Sequence, residues 1–519
     1  MTISIISIHV EETPPAFPLA AAILKAATKA DPRTSDSDVR LIEYYLPVSA
    51  YAAARELAES GTDACCFPAY TWNASAIINI ASAIRAMNPS IRLITGGPQA
   101  SADHSQFLNA ECFDAVIRGE GERAIVDALT AESCSGNQTT QLIDAPAADF
   151  ESSPSPYPAA ADVIKKHSGI LWEVSRGCPY SCAFCYESRG SKTVRTIPEN
   201  KMRAELHIFR ENEIKKIWVL DPTFNYNHGH AEKVLARIAE IYPEAHYTFE
   251  IRAELMTEKL CSMMSELNIS LQIGLQTINP DAGKIVNRRL SRKKFQNNCR
   301  MMSEYGLSFG IDLIYGLPAD NYNSFRESLD FAVKAVPNNI DIFPLSVLPG
   351  TEISERKEEL NLKEIGFPEY QIISNTSFSA EDIALAAKLT EAVDQFYNKE
   401  QAFPWFNAVT EAMELTPSEL FEAFNRHRNL NVLDFIRAEF YSNGRQKLFP
   451  VIESFILWSR TAEQAFANPG REFPVKLCRR PEILDELSGC SPEAFLKRHP
   501  NGREKTYTIF FDGEELYIN

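Results

Sequence analysis

Cys178, Cys182 and Cys185 fall within eight positions of one another, in the stretch Ser-Arg-Gly-Cys-Pro-Tyr-Ser-Cys-Ala-Phe-Cys-Tyr (175–186). Thiols this close are suited to a metal. Iron–sulfur clusters are usually held by four cysteine thiolates. Three without a fourth nearby therefore point to a [4Fe–4S] cube with one iron open, as a catalytic zinc keeps one position for substrate. Structural zinc usually needs a second cysteine pair, and none follows here. The remaining cysteines, Cys65, Cys66, Cys112, Cys134, Cys261, Cys299, Cys478 and Cys490, are scattered and read as structural. A second group with chemical potential is Glu250 and Arg252. They alternate by two, so on a strand they face one way, and such a pair can grip a zwitterion.

Elements must position these groups. From residue 2 the chain alternates β-branched runs (3–10, 39–45, 64–69, 91–95 and 113–117) with helical stretches. This pattern predicts an α/β fold that begins with a five-stranded, doubly wound, Rossmann-like domain over residues 1–135. Such domains bind ligands beyond the carboxyl ends of their strands, where the strand order reverses. The loops there read Tyr70-Thr71-Trp72-Asn73, Gly96-Gly97-Pro98-Gln99 and Arg118-Gly119-Glu120-Gly121-Glu122. Their glycines let backbone approach a bulky ligand, or simply make tight turns before helices. Residues 136–165 are rich in Ser, Pro and Ala and are expected to form a linker.

A second alternating region, 166–375, has strand-like runs at 170–175, 216–220, 247–251, 270–275, 308–314 and 341–347, and a helix opening at Pro198. Six units predict an incomplete (β/α)6 version of the TIM barrel, with chemistry at the strand C-termini. Asp221, Glu250, Arg252, Gln276, Asp312 and Tyr315 fall at or near that end. Asp221 and Asp312 also have structural readings, as a turn and as a barrel layer. Residues 376–519 read as a mainly helical C-terminal domain. Ser379 opens one helix, a long helix over 447–466 is interrupted by Pro450, and a terminal β-hairpin turns at Asp512-Gly513. Trp405, Phe406, Arg426 and His427 serve either as a lid or, more in keeping with an aromatic stripe, as core.

The chain has 519 residues, a formal charge of −17 and a pI near 5.2. That length calls for two or three domains. The charge argues against a broad nucleic-acid or anionic-membrane surface. The N-terminus lacks a signal-peptide pattern and any run long enough for a membrane span, so a cytoplasmic location is expected.

Cys-x-x-x-Cys-x-x-Cys, with Phe184 before the last cysteine, resembles the signature of the radical S-adenosylmethionine (SAM) enzymes. The resemblance implies that the open iron is chelated by the amino and carboxylate groups of SAM, near Phe184. It implies Arg252 on the SAM carboxylate and Glu250 on a ribose hydroxyl or the amino group. Gln276 and the run 310–318 would line the adenosyl site, with Asp312 and Tyr315 as candidate catalytic residues. The Gly-Gly-Pro loop and Arg-Gly-Glu-Gly-Glu, upstream of these cysteines, resemble the cobalamin-binding domain of the cobalamin-dependent members. The turn 347–351 is similar to one in the same group. This implies cobalamin against Tyr70, Thr71, Gly96, Gly97, Pro98, Gly119, Glu120 and Gly121. Asp-x-His-x-x-Gly, which supplies a lower cobalt ligand in classical cobalamin domains, is absent, since no glycine precedes Gly61. Cobalamin is thus expected to sit without a lower histidine, with His9 a strand-end residue.

The resemblance, over residues 1 to about 375, implies a methyltransferase acting at an unactivated carbon through a 5′-deoxyadenosyl radical and methylcobalamin. Radical cyclisation or rearrangement with cobalamin as electron acceptor is the alternative, and a non-enzymatic cobalamin or redox sensor is an alternative of another class. Methylthiotransferases carry three further cluster cysteines, whose spread Cys65, Cys66 and Cys112 lack. The implied partners are a small-molecule or peptide substrate and an external low-potential electron donor of flavodoxin or ferredoxin type.

Overall fold

The computed structural model describes residues 1–11, 17–131, 140–189 and 192–519. Cys134 and the first residues of the expected linker lie outside these. The N-terminal sheet is parallel and six-stranded, in the order β2 (Asp38–Tyr45), β1 (Thr2–His9), β3 (Ala64–Pro68), β4 (Arg92–Gly96), β5 (Ala115–Gly119) and β6 (Gln141–Ala145). The order reverses between β1 and β3. Apolar residues alternate across the strands, so Ile6, Ile8 and Cys65 pack on one face with the helices Ala50–Glu59 and Ala74–Met87. Ile3, Ile5 and Cys66 pack on the other, against Leu19–Ala30 and Gly121–Thr130. The five expected strands are all present. The sixth corrects the reading of 136–165 as bare linker. β6 is a short edge strand carrying Gln141 and Asp144, so no apolar run marks it in the sequence.

A second parallel six-stranded sheet runs from its first strand, Gly169–Trp172, through Lys216–Val219, His246–Ile251, Ile269–Gln276 and Ser308–Tyr315 to Asn339–Pro344. These are the six predicted barrel strands in sequential neighbour order. The helix Glu199–Glu211 starts one residue after Pro198, which occupies its N-cap position. The last strand would leave an open edge. Asn398 covers part of it: its side chain accepts from Ile340 N and donates to Ile340 O, both at 2.9 Å.

The C-terminal residues are mainly helical, and their apolar side chains belong to one continuous cluster with the outer layer of the barrel. Trp405 and Phe406 are fully buried there, around Phe396, which settles them as core. His427 lies 3.9 Å from Glu439 and lines neither large cavity. Pro450 does not interrupt the long helix: Phe449–Ala467 begins there, where a missing N–H costs nothing. The terminal hairpin, Lys505–Phe511 with Leu516–Ile518, pairs further with Glu472–Leu477 as a three-stranded antiparallel sheet.

Candidate active site

Strand parity decides what faces the barrel interior. Glu250 pairs in register with Gln272, and Asp312 with both Gly274 and Asp341, so these side chains share the inner face. Gln272 Nε2 donates to Asp341 Oδ2 at 2.8 Å and also to Asp312. Burial, partly offset by that bond and reinforced by Asp341, pushes the Asp312 carboxyl up to about 6. Glu250 is likewise raised, first by burial and then by Asp312 and Glu187. Gln276 ends its strand at a register shift with φ +69, a left-handed conformation that costs a non-glycine residue about 1–3 kcal/mol.

Tyr315 is one residue out of phase with this face. It is buried against Phe325 of the outer helical layer, their rings 5.7 Å apart, and lines neither cavity. Its candidacy as a catalytic residue is therefore corrected. Asp221 is also removed from the cavity lining. It is buried beneath the strand end near Ser175, and burial pushes its carboxyl up to about 7.

The cysteine loop leaves the first barrel strand through Gly177, whose φ of +94 makes the turn that a side chain would resist. Ala183 then fixes the loop on both sides: its N–H donates to Val286 O and its carbonyl accepts from Ile353 N. Cys178, Cys182 and Cys185 line one cavity of about 600 Å³ together with Phe184, Glu250, Arg252, Gln276 and Asp312. The structure thus brings together most of the barrel residues singled out in the sequence. Arg252 stacks on Tyr180, with its guanidinium carbon 4.1 Å from the ring centroid. Arg288 has no signal in the sequence, because it follows a short helix rather than a strand. Its Nη1 lies 3.8 Å from Cys182 Sγ, and it also donates to Gly274 O.

A second cavity, of about 500 Å³, opens over the C-terminal ends of β1, β3, β4 and β5, where the strand order reverses. Tyr70, Gly96, Gly97, Pro98, Gly119, Glu120 and Gly121 line it, as do Trp72 and Asn73. Thr71 does not, since its hydroxyl turns to Gln99 at 3.4 Å. Tyr70 and Trp72 stack at 4.5 Å and 6°, and Trp72 Nε1 donates to Ile8 O, which makes a rigid flat wall. The glycines have a structural reason of their own. A Cβ on Gly97 would stand 2.8 Å from Ala69 O, and one on Gly119 would strike Ala145 O. His9 ends β1 with Nε2 3.0 Å from Glu43, which also takes His167 at 3.1 Å.

Glu120, Glu173, Arg176 and Leu220 belong to the linings of both cavities. The thiol-lined space in the barrel and the glycine-loop space above the first sheet thus share a wall.

Residues 172–332 match the radical SAM superfamily, and residues 3–129 match the B12 binding domain. The chain is 22% identical over 400 residues to the cobalamin-dependent radical SAM methyltransferase TokK of Streptomyces tokunonensis, covering 68% of this chain and 56% of that protein. It spans little more than half the length of the first curated relatives it matches. Among solved structures it resembles the radical SAM methyltransferase TsrM of Kitasatospora setae with cobalamin and a [4Fe-4S] cluster bound. That match has a TM-score of 0.60 at 12% identity and covers 87% of this chain and 99% of that one. It also resembles the cobalamin-dependent SAM radical enzyme OxsB with aqua-cobalamin bound. There the TM-score is 0.58 at 14% identity, with 96% and 75% of the two chains covered. These structural likenesses establish a shared fold.

Proposed function

We propose that the chain is a cobalamin-dependent radical SAM methyltransferase acting at an unactivated carbon, a reading supported by its matches to the radical SAM superfamily and the B12 binding domain. Its substrate is a small molecule or peptide, its electrons come from a flavodoxin- or ferredoxin-type donor, and it works in the cytoplasm. The observation that carries this reading is the wall shared by the two cavities. Group transfer requires its reactants to be oriented at near-contact distance, and a common wall supplies that proximity.

The residues fit the groups this reading requires. Three cysteine thiols line one space, and thiolates are the donors an iron–sulfur cluster takes. Cys178, Cys182 and Cys185 would hold the cluster. Glu250, Arg252, Gln276, Arg288 and Asp312 would hold SAM, and the glycine loops with Tyr70 and Trp72 would hold cobalamin. When bound, these groups supply an electron that cleaves the carbon–sulfur bond of SAM and a methyl group for transfer.

The protein's own contribution is position and charge. Arg288, a fixed cation beside Cys182, is placed to receive an anionic carboxylate. Asp312, with its pKa near 6, changes the charge of the inner face just below neutral pH. Leu220 presents an apolar side chain at the shared wall, beside the charged Glu120, Glu173 and Arg176.

Anaerobic purification after expression with cobalamin uptake should yield about one corrinoid per chain. Incubation with methyl-labelled SAM, a reductant and extract of the source cells should then place label on a carbon of one component. Absence of corrinoid contradicts the reading. An unlabelled cyclised or rearranged product would replace methylation by that chemistry.

A further inference from the structure

The cysteine loop is closed at its neck by a two-residue antiparallel ribbon in which Arg176 pairs with Arg195. All three cysteines lie between these residues. Two guanidinium groups side by side repel each other, and what holds them together comes from the other domain. Glu120, in the loop after β5, accepts from Arg195 Nη1 at 3.0 Å and from its Nη2, and accepts from Arg176 Nη1 at 3.3 Å. Arg176 also donates to Glu122 and forms a two-pronged contact, 2.7 Å at each oxygen, with Glu173. Arg176 is only 13% exposed and Glu122 8%, so these charges are shielded from solvent and salt.

Glu120 also lines both cavities. Among the described residues it is the one carboxylate bonded to both arginines of the neck, and it projects from a glycine loop of the N-terminal cavity. We propose that Glu120 is a positioning residue. Through Arg176 and Arg195 it sets where the cysteine loop stands relative to the N-terminal cavity, so that filling that cavity tightens the loop. The second half rests on the cofactor reading of the two cavities. The first half stands on the ion pairs alone. Coupling of this kind is reciprocal, so a tightened loop also favours the ligand of the N-terminal cavity.

The test is amide hydrogen exchange on the full-length chain, read in peptides covering residues 177–189 with the strand His246–Ile251 as internal reference. Wild type, Glu120→Ala and Glu120→Asp are compared with and without hydroxocobalamin. Without ligand, Glu120→Ala should exchange about tenfold faster than wild type in 177–189, as local opening becomes easier, while the reference strand is unchanged. Hydroxocobalamin should slow wild-type exchange there by about fivefold or more, leave Glu120→Ala unaffected and regain its effect in Glu120→Asp. If Glu120→Ala disturbs the reference strand, Arg195→Ala replaces it with the same expectation of faster loop exchange. Equal loop exchange in wild type and variant, or equal slowing by hydroxocobalamin, overturns the proposal. Failure of wild type to take up hydroxocobalamin overturns the cofactor reading and the tightening half, while the unliganded comparison still decides the positioning half.

Discussion

At the scale of single residues, the inner face of the barrel concentrates ionisable groups whose properties follow from burial. Asp312 has an ordinary carboxyl value of 3.8 and is raised to about 6. Below that pH it is protonated, and above it the cavity gains a negative charge that attracts the sulfonium of SAM. The affinity of the cluster-loaded protein for SAM should therefore rise as pH passes upward through about 6, and Asp312→Asn should flatten that step. Equilibrium binding across pH 5–8 measures both. Tyr315 gives the opposite expectation. Its side chain packs against Phe325 outside the barrel interior, so Tyr315→Phe should keep 5′-deoxyadenosine release within about twofold of wild type, as for a substitution away from the chemistry. A loss of tenfold or more would return it to the site. Residue types suggested both positions, and strand alternation separates them: three apart on Ser308–Tyr315, they face opposite sides.

At the scale of elements, alternating β-branched runs revealed eleven of the twelve strands in the two large sheets, because buried parallel strands must be apolar. The missed one, Gln141–Ala145, is an edge strand with polar side chains. The cysteine loop was equally legible, since three thiols at that spacing have few other uses. Its fastening was not, because Val286, Ile353 and Glu120 are remote in sequence and meet the loop or its neck only through the fold. The same holds for the barrel's last strand. Asn398 supplies its edge with two backbone-type hydrogen bonds from a π-helical turn, Asp394–Asn398. Asn398→Ala leaves a donor and an acceptor of Ile340 without these partners and should cost about 2 kcal/mol. Chemical denaturation measures this; a change under 0.5 kcal/mol would show that the edge needs no cover.

At the scale of the whole molecule, the sheets present the C-terminal ends of their strands to a common region, and the two cavities join at Glu120, Glu173, Arg176 and Leu220. Domain order was readable from the alternating pattern, and cofactor type from the cysteine and glycine motifs. The shared wall was not, because it depends on how the two units dock. The C-terminal helices extend the barrel's outer core, which explains why the aromatic residues there point to stability rather than substrate. No helix among the described residues is long and apolar enough to cross a membrane. The central claim is that Cys178, Cys182 and Cys185 hold a cluster that cleaves SAM in the barrel cavity. Its most direct test is 5′-deoxyadenosine release from SAM by anaerobically reconstituted, reduced protein, beside a variant carrying Cys178→Ala, Cys182→Ala and Cys185→Ala. The account predicts release by the wild type, together with broad visible absorption, and loss of both in the variant. Release that persists without the three thiols would contradict it.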